Sequence, residues 1–257
     1  MPAAVHFRPA LIAAFLALAA CRGDGPAART TVTVSAAASL REAVTELERE
    51  YEAANPGVDV RANFGASGAL RRQIEQGAPV DVFISAATGP MDALEAAGLI
   101  DRRTRRVLAG NELVLIVPAG RPSTVSTFPD LAKVPRVALG APASVPAGEY
   151  ADEVLRNAGV EREVRARAVY AQDVRQVLAF VASGNADAGV VYRTDAASTD
   201  RVRIAATAPV GSHRPIVYPV ALVAGRERPE AATAFVGFLL GPRGRAVLRA
   251  RGFVVDG

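Results

Sequence analysis

The chain contains few of the residues from which metal sites and many enzyme sites are built. Its 257 residues include no tryptophan, one cysteine and two histidines, His6 and His213. No His-Cys or HxxxH cluster is present, which argues against a zinc site. The chain also lacks the G-x-x-x-x-G-K-S/T and G-x-G-x-x-G patterns of the commonest nucleotide-binding loops. We therefore expect no cofactor, no directly ligated metal and no enzymatic activity.

Lysine is nearly absent too, since Lys133 is the only one, and arginine supplies almost all of the positive charge. The formal net charge is +4 and the isoelectric point is about 9.7. The arginines are scattered among acidic residues, as in "DRRTRR" and "GRERP", and no aromatic stacking surface accompanies them. This pattern favours a solvated surface, and we expect no nucleic-acid partner.

One apolar run near the N-terminus stands apart from the rest. "ALIAAFLALAA" has eleven apolar residues, which suits a signal-peptide core but falls short of the roughly 20 residues that span a bilayer. The following Leu18-Ala19-Ala20-Cys21 resembles a bacterial lipobox, in which the cysteine is lipidated. We predict a lipoprotein signal peptide at 1–20, a lipid on Cys21, a tether at 21–29, and a periplasmic or cell-surface location anchored to a membrane. An ordinary cleavage site followed by a chance cysteine is the alternative.

Strand and helix patterns alternate along the remaining chain. "TTVTVSA" (Thr30–Ala36) is a β-branched strand, followed by a helix whose apolar residues, from Leu40 to Tyr51, recur every 3.6 residues. "VDVFISA" is a near-continuous apolar strand. A second series follows "ELVLIVP" and includes the strand "EVRARAVY" and the helix "DVRQVLAFVASG". This alternation predicts an α/β fold of mostly parallel sheets covered by helices.

We expect two such lobes rather than one, because the alternation occurs in two series. "ELVLIVP" and "YPVALV" are predicted as the two crossover strands between them. Lobe I would comprise residues 30–111 and 221–257, and lobe II residues 112–220. The two C-terminal helices would then return to lobe I.

Four predicted helices begin alike, each directly after a strand. Ser39 is predicted as an N-cap with Glu42 completing a capping box, and Ser67 lies just ahead of the second helix. Ala147 and Val174 open the other two. Such helices start at the carboxyl ends of the strands, where open α/β sheets bind ligands. Their unpaired N–H groups, grouped around one cleft, would bind an anion without any cationic side chain.

Each serine alone has a simpler interpretation as a structural cap. Ser67 is also a weak candidate for a nucleophile. The second glycine of G-A-S-G-A lies one place too early for G-x-S-x-G, and nothing in the sequence pairs Ser67 with His213. The anion-site hypothesis depends on the four helix starts occurring together.

Several segments jointly resemble a known family, the molybdate-binding proteins of bacterial ABC importers. They are "TVTVSAAASLREAV", "GASGALRRQIEQGAPVDVFISA", "VALGAPASVPAGEYA", "AQDVRQVLAFVASGNADAGVVY" and "YPVALVAG". The resemblance extends from about Thr31 to the C-terminus. It implies a type II periplasmic-binding-protein fold, a monomer, and the permease of an ABC importer as partner.

The resemblance also implies which groups hold the anion. They fall on Ser39 and Ser67 through hydroxyl and backbone N–H, on the backbone N–H of Ala147 and Val174, and on the hydroxyl of Tyr192. All are uncharged hydrogen-bond donors. Such a set suits a fully deprotonated tetrahedral dianion, and the implied ligand is molybdate or tungstate.

Other oxyanions fit this set less well. Hydrogen phosphate carries a proton that needs an acceptor, and an unmatched buried polar group costs about 1–3 kcal/mol. Sulfate is smaller, so donors placed for longer metal–oxygen bonds would lie too far from it. Asp173 is expected to cap its own helix and point away from the anion. The alternatives are a receptor for another oxyanion such as sulfate, a hydrolase using Ser67, and a ligand-free envelope lipoprotein.

Overall fold

The computed structural model describes residues 1, 3–4, 29–226 and 229–255. Cys21 and nearly all of the predicted signal peptide and tether lie outside them. Within the described residues the strands form two five-stranded sheets. The first consists of β1 (Thr30–Ala37), β2 (Val58–Gly65), β3 (Val82–Ile84), β4 (Arg106–Gly110) and β10 (Val217–Leu222). The second consists of β5 (Leu113–Pro118), β6 (Val137–Gly140), β7 (Ala168–Ala171), β8 (Ala188–Tyr192) and β9 (Val202–Thr207).

Each sheet contains one strand that runs against the others. In the first sheet the order is β2-β1-β3-β10-β4, and β10 pairs antiparallel with both of its neighbours. In the second the order is β7-β6-β8-β5-β9, and β5 is the antiparallel strand. The remaining pairs are parallel. The predicted α/β fold with two mostly parallel sheets is therefore confirmed.

The two strands predicted as crossovers each belong to a single sheet, and the second crossing lies earlier in the chain than expected. β5 lies wholly in the second sheet and β10 wholly in the first, so residues 217–220, assigned to lobe II from the sequence, pair within lobe I. The connections are the short Asn111-Glu112 and the longer segment 208–216. The apolar patterns of β5 and β10 indicate that both strands are buried, but not on which side of the cleft each one lies.

Helices cover both faces of each sheet. They are α1 (Arg41–Ala54), α2 (Ser67–Glu75), α3 (Thr88–Ala96), α4 (Pro146–Asn157), α5 (Glu161–Arg165), α6 (Val174–Ala182), α7 (Arg193–Ala196), α8 (Pro229–Leu240) and α9 (Pro242–Ala250). In lobe I, α1, α8 and α9 pack together, and α2 packs with α3. Among the described helices, none combines the length and apolar character of a membrane span.

The strand β3 shows why these segments are apolar throughout. Val82 and Ile84 face the main core, whereas Phe83 faces a second, smaller core beneath α2 and α3. Successive side chains of a strand point to opposite faces. A strand covered by helices on both sides therefore needs an apolar residue at every position.

The predicted strand "EVRARAVY" is wrong in its first half. Glu161–Arg165 form the short helix α5, and strand pairing begins only at Ala168. Val164 is fully buried while its charged neighbours are exposed. A single buried residue between charged ones imitates the alternation of a strand, although it equally suits one turn of helix.

Candidate functional site

The carboxyl ends of strands from both sheets meet at one cleft. A small cavity lies there between the lobes. All five residues predicted to hold an anion line it, and each is buried. None of the lining residues carries a charged side chain. They are Ala37, Ala38, Ser39, Gly65, Ala66, Ser67, Ala86, Val145, Pro146, Ala147, Val174 and Tyr192.

Ser39 reaches the cavity from a 3-10 turn, Ala38–Leu40, between β1 and α1. The predicted capping box is wrong, because no side chain caps this turn or α1, and Glu42 instead pairs with Arg175 of lobe II. β1 continues to the edge of the turn, so Ser39 lies within the turn rather than ahead of α1. Its hydroxyl oxygen lies 2.9 Å from that of Tyr218.

Ser67 is the first residue of α2, one place further into the helix than predicted. Its Oγ accepts a hydrogen bond from the backbone N–H of Ala86 at 2.9 Å. A hydroxyl that accepts in this way still has its own hydrogen to donate. Because Ser67 is fully buried at the cavity wall, that hydrogen is available to a bound anion.

Ala147 and Val174 lie in the first turns of α4 and α6. The N–H groups of a first turn have no partner within their own helix. The carboxylate of Asp173 caps α6 by accepting from the N–H of Gln176 at 2.9 Å. The prediction that Asp173 caps its own helix is confirmed, and the bonded carboxylate oxygen accepts from Gln176 rather than from Val174.

The start of α4 is held unusually close to β6. A Cβ added at Gly148 would lie 2.1 Å from the carbonyl oxygen of Gly140. Real side chains do not approach backbone atoms so closely, so only glycine fits at this position. The contact fixes the first turn of α4, and with it Ala147, at the end of the strand.

Tyr192 is the last residue of β8 and is 1% exposed. Its hydroxyl is buried without a hydrogen-bond partner in the described structure. An unpaired buried hydroxyl costs about 1–3 kcal/mol. Burial also raises the pKa of Tyr192 well above its usual value, so the phenol keeps its proton. The cavity therefore contains an unused donor.

Polar contacts join the lobes across the cleft. The N–H of Gly68 donates to the carbonyl oxygen of Ser144 at 3.0 Å, and Glu42 on α1 pairs with Arg175 on α6. Within lobe II, Arg175 also lies 2.8 Å from the buried carboxylate of Asp195. Burial raises the pKa of Asp195 to about 7, although the Arg175 guanidinium acts in the opposite direction. The lobes are closed on one another in this arrangement.

The cavity offers little for chemistry beyond hydrogen bonding. The residues that line it include no histidine, and the ring of His213 packs against Tyr150 with centroids 5.6 Å apart. Ser67 therefore has no histidine base at the cavity. In the described part of the chain, no group of three or more His, Cys, Asp or Glu side chains is placed to hold a metal ion.

Sequence reasoning missed three residues around the site: Ala86, Asn111 and Tyr218. The side-chain N–H₂ of Asn111 donates to Thr194 Oγ1 at 2.9 Å and to the Tyr218 hydroxyl at 3.3 Å. A polar hydroxyl at the start of the apolar strand "YPVALV" is the one signal that marks Tyr218. No local pattern connects it with Ser39.

Two lobes of this topology, with an uncharged, donor-lined cavity between them, define a solute-binding protein. The chain belongs to the family of bacterial extracellular solute-binding proteins, whose family model matches residues 32–254. This match covers most of the chain and agrees with the resemblance that the sequence motifs indicated.

Individual relatives are similar over nearly their whole length. The chain is 39% identical over 251 residues to the "Putative ABC transporter substrate-binding lipoprotein YvgL" of Bacillus subtilis, with 96% of each chain covered. It is 38% identical over 235 residues to the molybdate-binding protein ModA of Haemophilus influenzae, covering 88% of this chain and 91% of ModA. The solved periplasmic molybdate-binding protein of Azotobacter vinelandii is 25% identical with a TM-score of 0.78, covering 88% of this chain and 100% of that one. The predicted type II periplasmic-binding-protein fold and the resemblance to molybdate-binding proteins are confirmed.

Proposed function

We propose that this protein captures molybdate, and tungstate with it, in the cleft between its lobes and delivers the anion as a monomer to the permease of an ABC importer. The buried hydroxyl of Tyr192 carries the proposal, because it has no partner and borders a cavity without charged side chains. The name of the ModA relative supports the choice of anion. The protein acts by binding alone, since the cavity walls supply hydrogen-bond donors and no catalytic base.

The proposed ligands are the hydroxyls of Ser39, Ser67 and Tyr192 and the backbone N–H groups of Ala147 and Val174, together with those of the two serines. They come from both lobes, so only the closed form surrounds the anion. Each hydrogen bond to a charged acceptor stabilises by about 1.5–3 kcal/mol. The first turns of α2, α4 and α6 add partial positive charge without adding a cation. Closure of the lobes around the ligand provides the form that a permease recognises.

The arrangement of these groups as donors gives the site its selectivity. A fully deprotonated dianion accepts hydrogen bonds on every side, whereas the proton of hydrogen phosphate would be left unpaired at a cost of about 1–3 kcal/mol. Sulfate carries no proton, but its shorter bonds leave it too small for the same donors. Molybdate and tungstate are nearly the same size, so both are expected to bind.

A panel of four anions tests the proposal on the mature chain. Molybdate and tungstate should raise the melting temperature, because a ligand at 100 times its Kd adds about 2.7 kcal/mol to the free energy of unfolding. Sulfate and phosphate at the same concentration should have little effect, and isothermal titration then gives the affinities. A response to sulfate alone would show a receptor for a different oxyanion. No response to any of the four would contradict an oxyanion receptor altogether.

A lipid on Cys21, followed by a tether to residue 29, is proposed to hold the protein at the outer side of a membrane. The family supports an extracytoplasmic location, and the YvgL relative is named a lipoprotein. Cys21→Ala should move the protein from the membrane fraction to the soluble extracytoplasmic fraction. Retention of this variant in the membrane fraction would show that another contact anchors it.

A further inference from the structure

Ser39 can donate to an anion only if its hydrogen is not already donated to the neighbouring hydroxyl of Tyr218. Its hydroxyl lies 2.9 Å from that of Tyr218, and either oxygen could donate across this distance. Ser39 is 3% exposed and Tyr218 0% exposed. Solvent therefore does not decide the direction of the hydrogen bond, and the surrounding side chains must.

Asn111 decides it. Its Oδ1 accepts from the N–H of Glu112 at 2.9 Å, which fixes the orientation of the amide and leaves Nδ2 as a donor. The two hydrogens on Nδ2 go to Thr194 Oγ1 at 2.9 Å and to the Tyr218 hydroxyl at 3.3 Å. The Tyr218 oxygen therefore accepts from Asn111, and its own hydrogen is left for Ser39.

The opposite direction is unfavourable for two reasons. If Ser39 donated to Tyr218, the hydrogen of the buried Tyr218 hydroxyl would have no partner, at a cost of about 1–3 kcal/mol. The lone pairs of Ser39 would also face the negative charge of the ligand. Burial raises the pKa of Tyr218 well above its usual value, so the phenol has a hydrogen to give at neutral pH.

We infer that Asn111, Tyr218 and Ser39 form a hydrogen-bond relay that fixes the Ser39 hydroxyl as a donor toward the cavity and so withholds one acceptor from anions that carry a proton. This inference rests on the proposed function. Asn111 lies in the short connection between the two sheets, and Tyr218 lies in β10, which follows the longer one. Both are positioning residues that act on the anion through Ser39.

Tyr218→Phe removes the hydrogen that Ser39 accepts. The serine can then turn its oxygen toward the cavity and accept the proton of hydrogen phosphate. We expect the affinity for molybdate to fall about 5- to 20-fold, and its advantage over hydrogen phosphate to fall by a similar factor. Titration with molybdate, and competition by hydrogen phosphate, measure both. Tyr51→Phe is the matched control, because Tyr51 lies in the same lobe with its ring packed on Phe235.

A double-mutant cycle separates the relay from a merely structural role. In a Ser39→Ala background, Tyr218→Phe should have no further effect on molybdate affinity, because the relay acts only through that serine. If Tyr218→Phe lowers affinity equally in both backgrounds, or changes neither affinity nor discrimination, the relay is overturned.

Asn111→Ala keeps the inference testable should Tyr218→Phe fail to fold. It removes the donor that orients Tyr218, so discrimination against hydrogen phosphate should fall in the same direction. Unchanged discrimination in this variant would also overturn the relay. Failure of the unaltered protein to bind molybdate would instead contradict the proposed function, so the two outcomes are distinguishable.

Discussion

The hydroxyl of Tyr192 is buried at the end of β8 and lacks a hydrogen-bond partner in the described structure. In the empty protein it contributes an unpaired polar group. Under the proposed function a bound anion gives it a charged acceptor, which makes one of the stronger kinds of hydrogen bond. The hydroxyl is therefore unfavourable for the stability of the protein without ligand and favourable for anion binding.

Tyr192→Phe should weaken molybdate binding by about 10- to 150-fold, the equivalent of one hydrogen bond to a charged group. The melting temperature of the empty variant should stay unchanged or rise, because an unpaired buried hydroxyl has been removed. Titration calorimetry and thermal unfolding measure the two effects. A variant that loses stability while keeping its affinity would show that the hydroxyl has a structural role instead.

Glu48 on α1 is half-buried, and burial raises the pKa of its carboxyl to about 7, with repulsion from Glu52 acting in the same direction. A raised pKa in the folded state means that the protonated form stabilises the fold, and that this stability is lost as the pH rises toward 7. Glu48→Gln imitates the protonated form. Its free energy of unfolding at pH 8 should exceed that of the unaltered protein by on the order of 1–2 kcal/mol, allowing for solvent screening.

Urea unfolding across a range of pH checks this expectation. The two proteins should have equal stability near pH 4, where Glu48 is protonated in both the folded and the unfolded state. A difference that persists at acid pH would trace the effect to packing rather than to ionisation.

At the scale of elements, the sequence predicts well wherever an element buries a regular apolar face. α1 buries Val44, Leu47 and Tyr51 at helical spacing and ends before Asn55, as expected. The turn at Ser39 was not predictable, because the same residues suit a capping box. Its form depends on how far β1 stays paired with β2, and that pairing extends to Ala37 opposite Gly65.

The residues of the candidate site also differ in whether the sequence predicts them. Four of its five predicted residues lie at helix starts that local patterns mark, and the family resemblance implies the fifth, Tyr192. The structure gathers all five around one cavity. The supporting residues are different, since Tyr218 lies 179 positions from Ser39 in the chain. Contacts of this kind follow from sheet order, which periodicity does not encode.

The close approach of α4 to β6 can be tested by adding one methyl group at Gly148. Gly148→Ala would place a Cβ 2.1 Å from the Gly140 carbonyl oxygen, so the first turn of α4 must shift and carry Ala147 with it. We expect stability to fall by about 1–3 kcal/mol, as for other overpacked positions, and molybdate affinity to fall as well. Denaturant unfolding and calorimetry on the same samples measure both losses.

Gly89→Ala is the matched control, because Gly89 also lies in the first turn of a helix, α3, but has no neighbouring atom within 4 Å of an added Cβ. It should be neutral or stabilising by about 0.5–1 kcal/mol. Equal losses in the two variants would show that the close contact with β6 is unimportant.

At the scale of the whole molecule, closure depends on contacts that exist only when the lobes meet. The ion pair between Glu42 and Arg175 is one of them, and the Glu42 side chain is 38% exposed. Ion pairs with this degree of exposure contribute about 0.2–1 kcal/mol and weaken as salt is added. Asp195 still pairs with Arg175 when Glu42 is neutralised, so no buried charge is left alone.

Glu42→Gln should therefore lower molybdate affinity by up to about 5-fold at low ionic strength, with little effect in high salt. Glu46→Gln is the control, because Glu46 lies one turn along α1 and pairs with Arg251 inside lobe I. The control loses the same charge near the anion without losing an interlobe contact. Equal affinities for the two variants at every salt concentration would mean that this pair does not hold the lobes together.

The order of strands in the first sheet also bears on how a nascent chain assembles. β10 fills an inner position between β3 and β4, yet it is made after the entire second sheet. The second sheet is built from one uninterrupted stretch, 113–207, and can be completed from its own residues. Until β10 arrives, the first sheet has two unfilled inner edges, and such edges readily pair with other chains. Lobe I is thus the first lobe to be started during synthesis and the last to be completed. It is most prone to aggregation in the interval before β10 is made.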